Sequence, residues 1–369
     1  MKHATVLSGF DAEAWTHRWQ QGDVPSMLPY GMEHFDEAGW ALRIPSTPTP
    51  RTPLGRKALS VSSNRLGYPW VQAVHQTASA SASDAVIGVL EPHVVAAAQL
   101  RRAGVPAYTR RPLTALTCWA GQTLRDGTAE ERRRVRRRLA PVDRIYVLSG
   151  NQIGIFREHG FRDDQLCHVP FGIDTDFYTP GTPQEPDIEV LAVGLDRGRD
   201  YGTLFEAVRG LPLTVVVVAK KNNIAHLDIP SNVHFLGTVD HRTYRSLVRR
   251  ARIVAVPTHD FAYPTGQSVA LESSAVGTAV IVTRTEAMEQ YFADGVDAAM
   301  PRVHDPAHWR DTLMDLHRDG ALRARLSGHA RAKVLREYST RNLWSGISAD
   351  LDHLLTSSRG TSPSLGATG

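Results

Sequence analysis

Only two cysteines, Cys118 and Cys167, occur in the 369 residues. That excludes a disulfide framework, leaves the hydrophobic core to hold the fold and suits a reducing compartment. Long apolar runs are absent too. The longest stretches, such as residues 213–219, fall far short of the roughly 20 residues that a membrane-spanning helix needs. The N-terminus enters a short apolar stretch at 4–7 with no extended apolar region or small-residue cleavage site, so no leader is expected and the expected location is cytoplasmic. Neither sign of charge dominates. A net charge of +4 suits an anionic ligand, but without a recognised module it argues against nucleic acid as a partner.

What the chain has is length and rhythm. At 369 residues it exceeds one ordinary core, and two domains are expected. Short Val/Ile-rich runs at 4–7, 40–44, 84–90, 113–118, 144–148 and 165–170 read as strands. Helical patterns fall at 29–38, 66–80, 91–103 and 130–139, and Asn151 is placed to cap a further helix. Residues 46–55 are Pro/Thr-rich loop. The rhythm restarts near residue 185, with strands at 188–193, 213–219, 233–236, 253–256 and 279–283 and helices at 201–209, 244–251 and 269–276. Two such series imply an α/β chain of two doubly wound, Rossmann-like domains, each a parallel sheet covered on both faces. They meet in the Pro/Gly-rich stretch 174–186, and the cleft between them is the default ligand site.

The densest signal is the run AYPTGQSVALESSAVGTAVIVTRTEAMEQYFADG, residues 262–295. Thr265, Gly266, Gln267 and Ser268 form a polar loop ahead of a helix, with Ser268 near its N-cap. Glu272 lies one to two turns further on. Gly266 lets a backbone approach closely, and helix-terminal amides attract anions. A diphosphate at the loop with ribose hydroxyls on Glu272 fits this layout. A plainly capped helix fits it as well.

Residues 169–180 (VPFGIDTDFYTP), 190–208 (VLAVGLDRGRDYGTLFEAV), 232–239 (NVHFLGTV) and the block around Glu272, in that order and spacing, resemble the family-4 retaining glycosyltransferases of the GT-B fold. The resemblance covers essentially the whole chain, more strongly in its second half. It implies an acceptor-binding domain over 1–180 and a nucleotide-sugar-binding domain over 181–340. A helix at 341–356 would pack back on the first domain, and the Ser/Gly/Thr-rich tail 357–369 is expected to be disordered. The implied substrates are a nucleoside-diphosphate sugar and an acceptor hydroxyl. A small-molecule acceptor, either a secondary metabolite or a cell-envelope precursor, would fit. No cofactor and no metal are implied.

The family carries an Arg and a Lys after the strand that ends at Gly194. Leu195 stands at the expected Arg, so the clamp on the diphosphate passes to Arg199 first and Arg197 second; the competing reading is a solvated loop. Thr238 and Val239 lie where relatives contact the nucleobase through backbone atoms, and Gly9 where a Gly loop reaches the diphosphate. Glu272 matches the second of the family's paired glutamates. Pro264 stands at the first, Asp260 is a weak substitute, and the loop between Pro257 and Glu272 is longer than usual. His93 is a third catalytic candidate at the carboxyl end of a strand, set against a structural histidine at a helix start. Trp15, Trp19 and Trp119 are candidates for the acceptor side, Trp119 by stacking on a sugar ring. The two Arg triplets within Arg132 to Arg138 read either as a peripheral membrane or phosphate contact or, preferably, as a solvated helix face. The rival functions are a non-catalytic nucleotide-sugar or glycan binder of the same fold, and a GT-B epimerase or phosphorylase.

Overall fold

The computed structural model describes residues 1–45, 68–182 and 185–360; the loop expected at 46–55 and the tail beyond residue 360 lie outside the described residues. Strands β1 (Lys2–Leu7), β2 (Trp40–Arg43), β3 (Ala85–Val89), β4 (Leu113–Leu116), β5 (Arg144–Val147) and β6 (Leu166–His168) form one sheet, ordered β2-β1-β3-β4-β5-β6. Strands β7 (Ile188–Gly194), β8 (Val215–Ala219), β9 (Val233–Gly237), β10 (Ala251–Val256) and β11 (Ala279–Val282) form a second, ordered β11-β10-β7-β8-β9. Every pairing is parallel, with Ala4 registered between Leu42 and Ala85, and Val190 between Val215 and Ile253. Helices cover both faces, so each sheet feeds two clusters of buried side chains. This double coverage explains why the strands read as continuous Val/Ile/Ala runs rather than alternating ones.

The strand orders fix where ligands can sit. The chain leaves β1 in one direction to β2 and returns on its other side to β3; β7 and β10 are related in the same way. The gaps beyond the carboxyl ends of β1/β3 and of β7/β10 are therefore the two topological switch points.

Several elements differ in detail from the sequence reading. The 10–28 segment contains a helix, Ala12–Gln20, capped by the Asp11 side chain on Ala14 N. Pro29–Ala38 is a 3₁₀ segment kinked at Tyr30 and Gly31, both with positive φ. Asn151 does not cap its helix; the cap position is Gly150, and Asn151 Nδ2 instead donates to the Ala262 carbonyl at 3.0 Å. The last helix, Thr340–Gly360, runs through residues 357–360 of the expected tail, because extending an existing helix is far easier than nucleating one. Among the described residues, no helix is long and apolar enough to cross a membrane. The arginine-rich helix Ala129–Leu139 turns Val135 and Leu139 onto the first domain's core and pairs Arg134 with Glu130 at 2.8 Å, so its outward face is charged.

Two backbone segments cross side by side between the domains. Ile173 N donates to Tyr338 O at 2.8 Å, and Thr340 N to Ile173 O at 2.9 Å. Leu343, Trp344, Ile347 and Leu351 of the last helix are buried in the first domain's core beside Ala4, Met32, Phe35 and Trp40. Asp350 accepts from Arg144 Nε at 2.8 Å and from Tyr146 Oη at 2.9 Å. A Cβ on Gly172 would lie 2.2 Å from Ser339 O. Gly172→Ala is expected to cost about 1–3 kcal/mol, read as a lower urea midpoint; an unchanged midpoint would mean that the paired crossover yields freely.

Candidate active site between the two sheets

A cavity of about 540 Å³ opens between the two sheets, within the range of small-molecule sites. Its second-domain wall is polar and is made by the loop after β7, the loop after β10 and the Gln267–Val276 helix.

Arg199 anchors that wall. Its residue is 7 % exposed. Nε donates to the Val193 carbonyl at 3.1 Å, while Nη1 is buried with no hydrogen-bond partner and lies 3.5 Å from Asp196 Oδ2. Two glycines make the slot. A Cβ on Gly194 would fall 1.8 Å from Nε, and one on Gly266 would fall 2.6 Å from Nη1. Gly266 (φ 88°) is itself the N-cap of the helix, and no described side chain caps it; Ser268 lies inside the first turn. A buried guanidinium nitrogen with no hydrogen-bond partner, ion-paired only at 3.5 Å, beside a helix N-terminus that no described side chain caps is an arrangement that suits an anion. Thr265 adds a hydroxyl that donates to Asp196 Oδ1 at 3.1 Å.

Glu272 lies deeper in the same helix. It lines this cavity and also an adjoining lobe walled by Val193, Val218 and Val239. Burial by surrounding protein raises its pKa to about 7, against smaller lowering effects of the Tyr244 and Tyr178 hydroxyls and the Arg199 charge. Burial and the Glu272 carboxylate hold both of those phenols well above their usual range. These two tyrosines and His241, which lines the same lobe, escaped the sequence reading. Tyr178 stands within the quoted 169–180 motif, but nothing along the chain ties it to Glu272.

The remaining candidates divide. Thr265, Gly266, Gln267, Ser268 and Glu272 converge with Arg199, and Trp15 and Trp119 line the opposite wall. Val239 faces the adjoining lobe, whereas the Thr238 side chain is exposed. Arg197 does not line the central cavity. Asp196 Oδ1 accepts from Gly198 N at 2.7 Å, and this tight turn leaves Arg197 exposed, lining a neighbouring cavity with Asn222, Asn223 and His226 that Arg199 also borders. Gly9 and His93 pack on each other at the first switch point: a Cβ on Gly9 would be 2.8 Å from His93 Cε1. Neither lines the central cavity, and burial lowers the His93 pKa. Trp19, 41 % exposed, lies one helical turn beyond Trp15 and away from the cavity.

The long loop before the helix reaches across to the first domain. Arg125 Nη2 donates to the Asp260 carbonyl at 2.5 Å, and Gln122 Oε1 accepts from Ala262 N at 2.7 Å. Asp260 is thereby drawn to Arg125 and away from the cavity; Asp196 is the carboxylate that lines it near the loop. Behind the Arg199 loop, Asp200, His259 and His304 bring three potential metal-ligand atoms within 4.8 Å of one another. His304 Nδ1 lies 2.8 Å from Asp200 Oδ2.

Residues 216–333 match the model of the family described as glycosyl transferases group 1. A D-inositol 3-phosphate glycosyltransferase of Xylanimonas cellulosilytica is 28% identical over 213 residues, 49% of this chain and 50% of that protein. A protein of the same name from Salinispora arenicola is 31% identical over 158 residues, 40% of this chain and 33% of that protein. The chain thus spans about half or less of the length of these curated relatives. Among solved structures, sucrose-phosphate synthase from Thermosynechococcus elongatus matches with TM-score 0.70 at 16% identity, over 98% of this chain and 100% of that one. Anabaena HepE in complex with UDP-glucose matches with TM-score 0.65 at 14% identity, over 97% and 100%. At these identities the likeness concerns the fold: two parallel-sheet α/β domains of the GT-B class.

Proposed function

We propose that the chain is a glycosyltransferase that moves a sugar from a nucleoside-diphosphate sugar to the hydroxyl of a small-molecule acceptor with retention of configuration, in a reducing, cytoplasmic compartment. One observation carries this reading: Nη1 of buried Arg199, which has no hydrogen-bond partner, meets at Gly266 the helix N-terminus that no described side chain caps, with Glu272 deeper in the same helix. In this reading the diphosphate lies between them, the ribose hydroxyls donate to Glu272, and the base enters the lobe lined by Val218 and Val239.

Charge develops on the β-phosphate as the sugar leaves. Arg199 and the helix amides face it without having to reorganise, in a partly closed site where such interactions are strong. The acceptor hydroxyl attacks from the face that the nucleotide leaves, and the departing β-phosphate oxygen takes its proton. No side-chain base is then needed. The bridging loop from 260 to 262 draws the domains together and limits water attack on the donor.

The test is turnover. Wild-type protein is incubated with UDP-, GDP-, ADP- and TDP-sugars, and nucleotide release is followed. One donor is expected to be consumed, slowly without acceptor. A bound donor that is never consumed, with or without an acceptor, would leave a binding protein instead. Because Arg199 and the helix amides supply the positive charge, turnover is expected to persist in excess EDTA. Loss of turnover on chelation, restored by a divalent ion, would reassign part of that charge to a metal, with Asp200, His259 and His304 as the ligands to mutate first.

A further inference from the structure

The two walls of the cavity differ in chemistry. The second-domain wall carries Arg199, Asp196 and Glu272. Among the described residues, the first domain lines its side without a single Lys or Arg; Phe10, Tyr30, Leu90, Leu116 and Trp119 form it, continued at the crossover by Phe171 and the carboxylate of Asp174. Tyr30 stands edge-on to Phe10 (centroids 5.5 Å apart) and to Phe171 (6.0 Å). Tyr30 and Trp119 remain 36 % and 39 % exposed.

Tyr30 is held there at some cost. Its φ is +59°, a conformation that bulky residues avoid unless their surroundings impose it. Its carbonyl accepts from Trp344 Nε1 at 2.7 Å, so the last helix pins the aromatic wall. The helix N-terminus beside Trp119, at Ala120, is already neutralised. Glu91 Oε1 accepts from the amides of Cys118, Trp119 and Ala120 at 2.8, 2.5 and 2.6 Å. The Cys118 thiol is kept protonated by burial and by the Glu91 and Asp196 charges.

A phosphorylated acceptor would meet no Lys or Arg among the described residues of this wall and would lie near the Asp174 carboxylate, which is unfavourable. Resting on the transferase reading above, we infer that the acceptor is an apolar, planar ring compound bearing a hydroxyl, seated against Tyr30, Phe171 and Trp119, and not a phosphorylated polyol. Its O–H attacks the sugar's C1. The C1–O(acceptor) bond forms, the C1–O(β-phosphate) bond breaks with its electron pair leaving on the nucleoside diphosphate, and the hydroxyl proton passes to a β-phosphate oxygen.

The experiment titrates 4-methylumbelliferone, naringenin and myo-inositol 1-phosphate by calorimetry into full-length protein saturated with whichever nucleoside diphosphate it binds. At least one ring compound is expected to bind one-to-one and the inositol phosphate not to bind. Tyr30→Leu is expected to weaken ring binding roughly tenfold, and Tyr30→Phe, which keeps the ring face, to preserve it. Binding of inositol phosphate alone, binding of none of the three, or ring binding indifferent to Tyr30→Leu would each overturn the inference while leaving the donor reading intact. Failure to bind any nucleoside diphosphate would remove the donor reading itself, and this inference with it.

Discussion

Replacing Arg199 with alanine is expected to lower donor turnover by about 10²–10³-fold, the usual loss when one preorganised donor to a developing oxyanion is removed. The side chain occupies a slot that Gly194 and Gly266 leave open for it, and its Nε already serves the Val193 carbonyl. Nη1, which has no hydrogen-bond partner, is the nitrogen this reading gives to the phosphate. Arg199→Lys separates charge from geometry. A lysine ammonium cannot both hold Val193 O and reach the Gly266 loop, so the lysine variant is expected to keep the fold and still lose most of the rate. The measurement is nucleotide release, with thermal unfolding as the check on folding. Full activity in Arg199→Lys would mean that positive charge alone suffices; full activity in Arg199→Ala would remove Arg199 from the reaction.

Donor affinity is expected to rise roughly tenfold between pH 6 and pH 8, because Glu272, with a pKa of about 7, passes from roughly one-tenth to nine-tenths ionised over that window. Only the carboxylate can accept from two ribose hydroxyls at once. The probe should be the nucleotide sugar and not the free diphosphate, whose terminal phosphate titrates near pH 6. The unliganded protein should respond with the opposite sign. A carboxyl whose folded pKa is raised from 4.5 to about 7 contributes stability that is complete below 4.5 and is lost as pH rises through 7. Thermal midpoints of the free protein should thus fall from pH 5 to pH 8 while donor binding strengthens, and Glu272→Gln should flatten both trends. A pH-independent affinity in the wild type would place the ribose away from Glu272.

Much of this was legible along the chain, and the reasons are physical. Strands buried on both faces, such as β8 (Val215–Ala219) and β10 (Ala251–Val256), show as apolar runs whatever the tertiary context. A glycine-led loop followed by a helix is a local pattern, so Gly266 and Glu272 could be found from spacing alone. What depended on long-range packing was hidden. The tight turn at Asp196–Gly198 leaves Arg197 exposed and outside the central cavity that buried Arg199 lines, although in sequence they look interchangeable. Asn151 sits where a cap belongs, yet the Ala262 carbonyl across the cleft claims its side chain. Tyr178 and Tyr244 meet Glu272 only once the crossover and two helices have packed. On the first domain's wall Trp15 and Trp119 could be named from the sequence, but Tyr30, held at φ +59° and pinned by the last helix, had no local signature.

The most direct test of the central claim is calorimetric titration of UDP, GDP, ADP and TDP into the wild-type protein and Arg199→Lys, in buffer containing EDTA. One nucleotide is expected to bind the wild type one-to-one, and the lysine variant at least tenfold more weakly, as befits the loss of one charge-assisted hydrogen bond. Binding of none of the four by a folded wild type, or equal binding by both proteins, would contradict a diphosphate site built on Arg199 and the helix at Gly266.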